Sequence, residues 1–201
     1  VLAVDIAGQP DKQAWRAGLL TRRAAVDPSV HEAESAALAA ALTRLPLDAG
    51  EIWVAAYVPV RGEPGSTAML DTLRTIGVRV LLPLTGPPGP LDWAEYTGER
   101  ELRRARYGLR EPASPPLSPA AIGWANTILV PALAVDRRGV RLGRGAGYYD
   151  RTLPAARPGA RLIAVVRDEE LLDRLPEEPH DRRMGWALTP EAGLTPLTEG
   201  R

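Results

Sequence analysis

Short unbroken apolar runs alternate with stretches of helical period along most of the chain, the pattern of strands buried on both faces between covering helices. Pro10-Asp11 opens a helix that runs to Val26, with Trp15, Leu19 and Val26 on one stripe and Lys12, Arg16 and Arg23 together on the bordering one. That basic edge reads either as a solvated helix face or as one wall of a phosphate cleft. Asp27 and Pro28 supply a cap and a first-turn proline for a second helix through Leu38, Leu42 and Leu45, with Ser29 and Glu32 as an alternative capping box. Residues 51–58 form a buried strand stopped by Pro59. Ser66 or Thr67 then caps a helix that turns Met69, Leu70, Leu73 and Ile76 inward and closes at Gly77, and residues 78–83 give the next strand. Strand, loop, helix and strand make a βαβ unit, in which ligands sit beyond the carboxyl ends of the strands. Glu63 lies at such an end.

From residue 85 to 119 the pattern breaks into Gly-Pro-Pro-Gly-Pro, a short apolar stretch around Trp93, a charged helical stretch at 99–106 and a cluster of prolines at 112, 115, 116 and 119. This is an elaborated crossover. Trp93 and Tyr107 either wall a pocket or pin a surface loop. Residues 126–130 form another buried strand, and 131–136 lead into a glycine-rich loop at 137–151 followed by a helix at 148–153. Residues 161–166 are the last strong strand. A short helix at 168–175, a polar loop at 177–181 and an edge strand at 184–189 follow, and the tail past Thr195 carries no pattern. Strands and helices interleave as in one domain spanning residues 1–201.

Acidic and basic side chains balance at 25 each, so no overall field recruits nucleic acid or an anionic membrane, and any anion site is local. Cysteine is absent, which excludes disulfides, thiolate metal sites and a cysteine nucleophile; the two histidines, His31 and His180, are too few for a histidine-rich metal site. The first residues lack the basic and apolar regions of a signal peptide, and no run is long enough to span a membrane. The expectation is a cytoplasmic monomer. Every basic residue is arginine except Lys12. A lone ammonium is either a chance survivor or marks a site that needs a compact, mobile charge.

The stretch Arg141-Leu-Gly-Arg-Gly-Ala-Gly-Tyr-Tyr-Asp-Arg151 holds the densest chemistry. Gly143, Gly145 and Gly147 permit positive φ and can turn successive N–H groups toward one anion, while Arg141 and Arg144 carry guanidinium forks that match phosphate oxygens. A helix starting at Tyr148 adds its N-terminal dipole, and Asp150 offers a hard oxygen ligand suited to Mg²⁺. The loop lacks the Gly-Lys-Ser/Thr of a Walker A motif and the dinucleotide-fingerprint spacing. By itself it reads equally as a flexible turn before a helix. The arginines, tyrosines and aspartate favour phosphate.

This loop, with Val130-Pro-Ala-Leu-Ala-Val-Asp136 before it and Lys12-Gln-Ala-Trp-Arg16 near the start, resembles the 5-formyltetrahydrofolate cyclo-ligases, also called 5,10-methenyltetrahydrofolate synthetases. The Glu63 loop, Gly108-Leu-Arg-Glu-Pro112 and His180-Asp181 are weaker echoes. The resemblance implies a three-layer α/β/α sandwich with a mainly parallel sheet, of the ribose-5-phosphate isomerase and CoA-transferase group. It also implies an ATP- and Mg²⁺-dependent ligase that closes 5-formyltetrahydrofolate into 5,10-methenyltetrahydrofolate, releasing ADP and phosphate. Lys12 and Arg16 fall on its ATP-phosphate contacts. Arg141, Leu142, Gly143, Arg144, Gly145, Ala146, Gly147, Tyr148 and Tyr149 fall on its nucleotide lid, with Lys12 and Arg144 as the catalytic cations. Val58, Glu63, Tyr148 and Tyr149 fall on its folate contacts, and Asp150 and Asp181 on its metal ligands. Val135 replaces an aromatic usual in the family, and Ala146 a glycine or lysine. Two other readings compete: a non-catalytic nucleotide- or folate-binding relative, and a phosphosugar isomerase on the same fold, which would leave Lys12 and Asp150 without a task.

Overall fold

The computed structural model describes residues 11–47, 50, 52–60, 62–178 and 181–197, with the Tyr107 side chain excepted; the signal-peptide reading of residues 1–7, Glu51 at the start of the first strand run, and His180 lie outside the described residues. The three longest helices are α1 (Lys12–Ala24), α2 (Pro28–Leu42) and α3 (Thr67–Thr75). Each starts where a side chain satisfies an orphan N–H. Asp11 accepts from Ala14 N at 2.8 Å, Asp27 from Ser29 N at 2.8 Å and Ser66 from Ala68 N at 3.3 Å. Of the alternatives offered by the sequence, Asp27 and Ser66 are the caps.

The strands in chain order are β1 (Trp53–Ala55), β2 (Arg79–Leu84), β3 (Asp92–Tyr96), β4 (Leu102–Arg104), β5 (Arg110–Pro112), β6 (Thr127–Pro131), β7 (Ala134–Asp136), β8 (Arg141–Leu142), β9 (Arg161–Val165), β10 (Leu171–Leu172), β11 (Trp186–Thr189) and β12 (Gly193–Pro196). Seven of them form the main sheet in the order β12-β11-β9-β6-β1-β2-β3. The central five are parallel, and an antiparallel strand closes each edge. Both faces are covered, which is why these strands read as continuous apolar runs.

Alternation along each strand sends side chains to opposite faces. Val54, Val80, Leu82, Leu129, Ile163 and Leu188 pack under α2 and α3, where Leu38, Leu42, Leu70 and Leu73 are almost wholly buried. Each such leucine contributes about 1.5–3 kcal/mol by leaving water. Ala55, Leu81, Ile128, Val130, Ala164 and Ala187 face a third layer built from a 3₁₀ turn at Pro119–Trp124, the short helix α4 (Tyr148–Thr152) and the 3₁₀ turn Leu153–Ala155. The fold is thus α/β with a mostly parallel sheet between two covering layers, the second made largely of 3₁₀ turns. A small sheet, β10-β7-β8, lies apart, and α1 seats Leu19 on it against Leu133, Ala134, Val140 and Leu142. Asp136, fully buried, ties this hairpin together by accepting from the N–H groups of Arg138, Val140 and Leu175, each at 2.9 Å, and from the Arg138 guanidinium.

Four expectations need correction. Residues 99–106 are not a helix: two 3₁₀ turns flank β4, which pairs with β5. Only Leu102 there is buried, so a helix would have had no apolar face to dock. Residues 168–175 form a 3₁₀ turn and then β10, because Leu171 and Leu172 extend the small sheet alongside Val135 and Asp136. The strand at the carboxyl end is not an edge, since β12 pairs outside it from Trp186↔Pro196 to Thr189↔Gly193. Within the crossover, β3 joins the main sheet and buries Trp93 completely, so that residue belongs to the core. No helix among the described residues is long and apolar enough to cross a membrane.

Candidate active site

A cavity of about 680 Å³ opens beyond the carboxyl ends of β1, β2 and β6, between α1 and the glycine-rich loop, a size typical of ligand sites. Its walls bring together segments far apart in the chain.

Lys12 and Arg16 line it from the first turns of α1. A cation at a helix N-terminus opposes the dipole, and two carboxylates offset this: the Lys12 ammonium donates to Glu178 Oε2 at 2.7 Å and to Asp181 Oδ2 at 2.8 Å. Burial alone would lower the Lys12 pKa, but the hydrogen bonds it donates to Asp181 and Glu178, with their charges, outweigh this and the net displacement is upward. Lys12 therefore stays an ammonium. Arg16 Nε donates to Gly143 O at 3.0 Å across 127 residues of chain, stitching α1 to the loop. Arg23, placed with them by helical spacing, does not reach the cavity. It is buried and pairs bidentately with Glu170 at 2.6 and 2.7 Å, and it donates to Ala132 O at 2.7 Å.

The loop from 141 to 151 forms the opposite wall. Arg141 spans its base, donating to Asp150 Oδ1 at 2.8 Å and Pro131 O at 3.1 Å. Gly145 and Gly147 take the expected positive φ, 98° and 69°; Gly143 does not. What Gly143 needs is space, because a Cβ there would stand 2.7 Å from Arg141 Nη1. Leu142 is buried on β8, and Ala146 lines the cavity. The helix after the loop, α4, has only five residues, so its dipole adds less than a full helix would. Tyr148 lies under Arg151, whose guanidinium carbon is 5.5 Å from the ring centre, and Tyr149 under Arg141 at 5.7 Å.

The floor comes from the segment after β1. Val58 lines it half-buried, and Glu63, almost fully buried, accepts from Val60 N at 3.0 Å and from Arg144 Nε at 3.0 Å. The main chain beside it is fixed by Arg167, itself 1% exposed, which donates to Gly62 O at 2.9 Å and to Glu34 Oε2 at 2.8 Å. Two of the residues lining the cavity, Tyr57 and Tyr149, have hydroxyls that are buried and have no hydrogen-bond partner among the described residues. Burial raises both above the ordinary tyrosine range, and the nearby Glu63 charge adds to the rise. Both remain protonated donors. Glu178 and Tyr57 carried no signal in the sequence: one sits in an ordinary acidic loop, the other inside an apolar run.

Asp150 and Asp181 line the same cavity, but no group of three or more acidic or histidine side chains that could hold a metal ion occurs among the described residues. Mg²⁺ is commonly held by one or two carboxylates with phosphate oxygens and water completing its shell; here Asp150 is paired with Arg141 and Asp181 with Lys12, each at 2.8 Å.

Residues 8–190 match the model of the 5-formyltetrahydrofolate cyclo-ligase family. A 5-formyltetrahydrofolate cyclo-ligase from Mycolicibacterium smegmatis is 51% identical over 191 residues, covering 92% of this chain and 97% of that protein. The Escherichia coli K12 enzyme of the same name is 29% identical over 68% of this chain and 77% of its own. The NMR structure of Aquifex aeolicus 5,10-methenyltetrahydrofolate synthetase superposes with a TM-score of 0.78 at 25% identity, covering 94% of each chain. A solved structure of a Mycoplasma pneumoniae 5,10-methenyltetrahydrofolate synthetase shares the fold, with a TM-score of 0.70 at 19% identity over 89% of this chain and 98% of that one. With its family match spanning nearly the whole sequence, the chain belongs to the 5-formyltetrahydrofolate cyclo-ligase family of ligases.

Proposed function

We propose that the protein uses MgATP to cyclise 5-formyltetrahydrofolate to 5,10-methenyltetrahydrofolate. The observation that carries this reading is the shared cavity: the lone lysine, the arginine-bearing glycine loop and the Glu63 floor line one space. Family membership favours it over the phosphosugar isomerase reading.

In the proposed reaction the formyl oxygen attacks the γ-phosphorus and the bond to the β-phosphate oxygen breaks, releasing ADP. The neighbouring side-arm nitrogen then adds to the activated formyl carbon and loses its proton, and phosphate departs with the former formyl oxygen. No protein nucleophile takes part. The work is positioning and charge neutralisation, the usual means of phosphoryl transfer.

Lys12 and Arg16 would contact the ATP phosphates from α1, and residues 141–149 would close over them. Lys12 is already charged and held at the cavity wall, and an incoming phosphate can replace Glu178 or Asp181 as its partner. Arg144 would neutralise the transferred phosphoryl group; its present contact with Glu63 ties the nucleotide side of the cavity to the folate side. Glu63 would accept from the N–H groups of the pterin, with Val58, Tyr148 and Tyr149 packing the ring system. Asp150 and Asp181 would hold Mg²⁺, which when bound draws charge from the triphosphate oxygens.

Mixing the purified protein with MgATP and 5-formyltetrahydrofolate tests the reading. Methenyl absorbance that appears only with both substrates is the expected result; binding of both without turnover, or turnover without ATP, overturns it.

A further inference from the structure

We infer that Tyr57 is a specificity-determining residue whose hydroxyl donates to the 4-oxo oxygen of the pterin while Glu63 receives the two donors beside it. The inference rests on the proposed folate chemistry of the cavity and names a residue that neither the glycine loop nor the lysine motif contains.

The hydroxyl is the first observation. Tyr57 is 6% exposed and its oxygen is buried, yet it has no hydrogen-bond partner among the described residues, although Tyr57 lines the cavity. Leaving a buried hydroxyl unpaired is destabilising. Such a group is often completed by a ligand.

Its surroundings settle the direction of the bond. Glu63, Tyr149, Arg23 and Glu170 are the titratable groups that bear on the phenol. Arg23 holds Glu170 through Nε and Nη2, and its Nη1, which has no hydrogen-bond partner among the described residues, is a donor and so cannot receive the phenol's proton. Burial and the Glu63 carboxylate hold the phenol protonated, so it enters any complex as a neutral donor.

The ligand edge then fits in one order. A 2-amino-4-oxopteridine presents two donors, the 2-amino group and N3–H, followed by an acceptor at O4. A carboxylate receives the two donors but repels the oxygen next to them, so a site built on Glu63 needs a neutral donor at its flank. Each carboxylate oxygen accepts more than one hydrogen bond, so the existing contacts to Val60 N and Arg144 do not close Glu63 to a ligand. Tyr149 is the other unpaired phenol, but it starts from the loop and sits beneath Arg141. Tyr57 stands two residues past β1, on the segment whose backbone Arg167 fixes at Gly62, and so keeps its place relative to Glu63.

The test is Tyr57→Phe, which deletes only the hydroxyl. Expected are a three- to tenfold rise in the Kd and KM for 5-formyltetrahydrofolate, a KM for ATP and a kcat within twofold of wild type, and a melting temperature unchanged or raised. The last follows because the free protein loses an unsatisfied group rather than a bond. 2-Aminopteridine, which lacks the 4-oxo group and with it the N3–H, should bind both proteins with the same, weaker affinity, whereas pterin should distinguish them and bind the variant more weakly. A variant with wild-type folate affinity overturns the inference, as does one that melts earlier and weakens for both substrates together. If wild-type protein binds no 5-formyltetrahydrofolate, the proposed function falls and takes this inference with it; if it does bind and Tyr57→Phe matches it, the inference alone falls.

Discussion

Lys12 is held at 2.7–2.8 Å by two carboxylates, and Arg144 by Glu63 at 3.0 Å, so the two proposed catalytic cations are already positioned before any nucleotide arrives. Removing a preorganised charge from a phosphoryl-transfer site costs about 10²- to 10³-fold in rate. Lys12→Ala and Arg144→Ala should each lower kcat/KM for ATP by that order in the absorbance assay, while melting temperatures stay within a few degrees; loss of less than tenfold in both would remove them from the proposed chemistry. Single residues differed in how far the sequence disclosed them. Lys12 stood out as the chain's sole lysine. Arg23 was misplaced because helical spacing fixes a stripe but not what faces it, and its partner Glu170 lies 147 residues further on. Tyr57 was hidden because a tyrosine within an apolar run looks like core until a cavity is seen beside it.

At the level of elements, the stretch from Arg141 to Arg151 owes its course to two residues in left-handed conformation, Gly145 and Gly147. Gly147 is the one that opens α4: its φ is 69°, and an added Cβ would lie 2.7 Å from Arg151 Nη1, so the end of that side chain would have to shift. An L-residue pays about 1–2 kcal/mol for such a backbone. Gly147→Ala should lower stability by that amount in denaturant titration and raise the KM for ATP more than that for folate; unchanged values in both would mean that the loop tolerates another path. Elements with both a period and a cap were legible, namely α1, α2 and α3, and so were the apolar strands β2, β6 and β9, whose burial makes them unbroken; the run at 51–58 gave β1 its place, but the strand holds only Trp53–Ala55. Short elements held by long-range pairing were not. β12 is four residues with no marked alternation, and β4 and β10 exist because β5 and β7 lie beside them.

On the scale of the whole molecule, parallel strands carry their carboxyl ends to one side of the sheet, and α1 folds back to meet the loop that follows β8. That return is what joins Lys12 and Arg16, near the start of the chain, to residues 141–151 and to Glu178 and Asp181 near its end. The sequence marked Glu63, the 141–151 loop and the Lys12 edge singly by their chemistry, but only a family pattern joined them in one cavity, since nothing in local periodicity brings distant segments together. The proposed reaction makes a demand that positioning alone does not: the formyl oxygen must end on phosphorus. The decisive measurement is turnover of 5-formyltetrahydrofolate carrying a heavy isotope in its formyl oxygen, with unlabelled MgATP and mass analysis of the products. The account predicts one heavy oxygen in each phosphate released. Heavy water with unlabelled phosphate would contradict it.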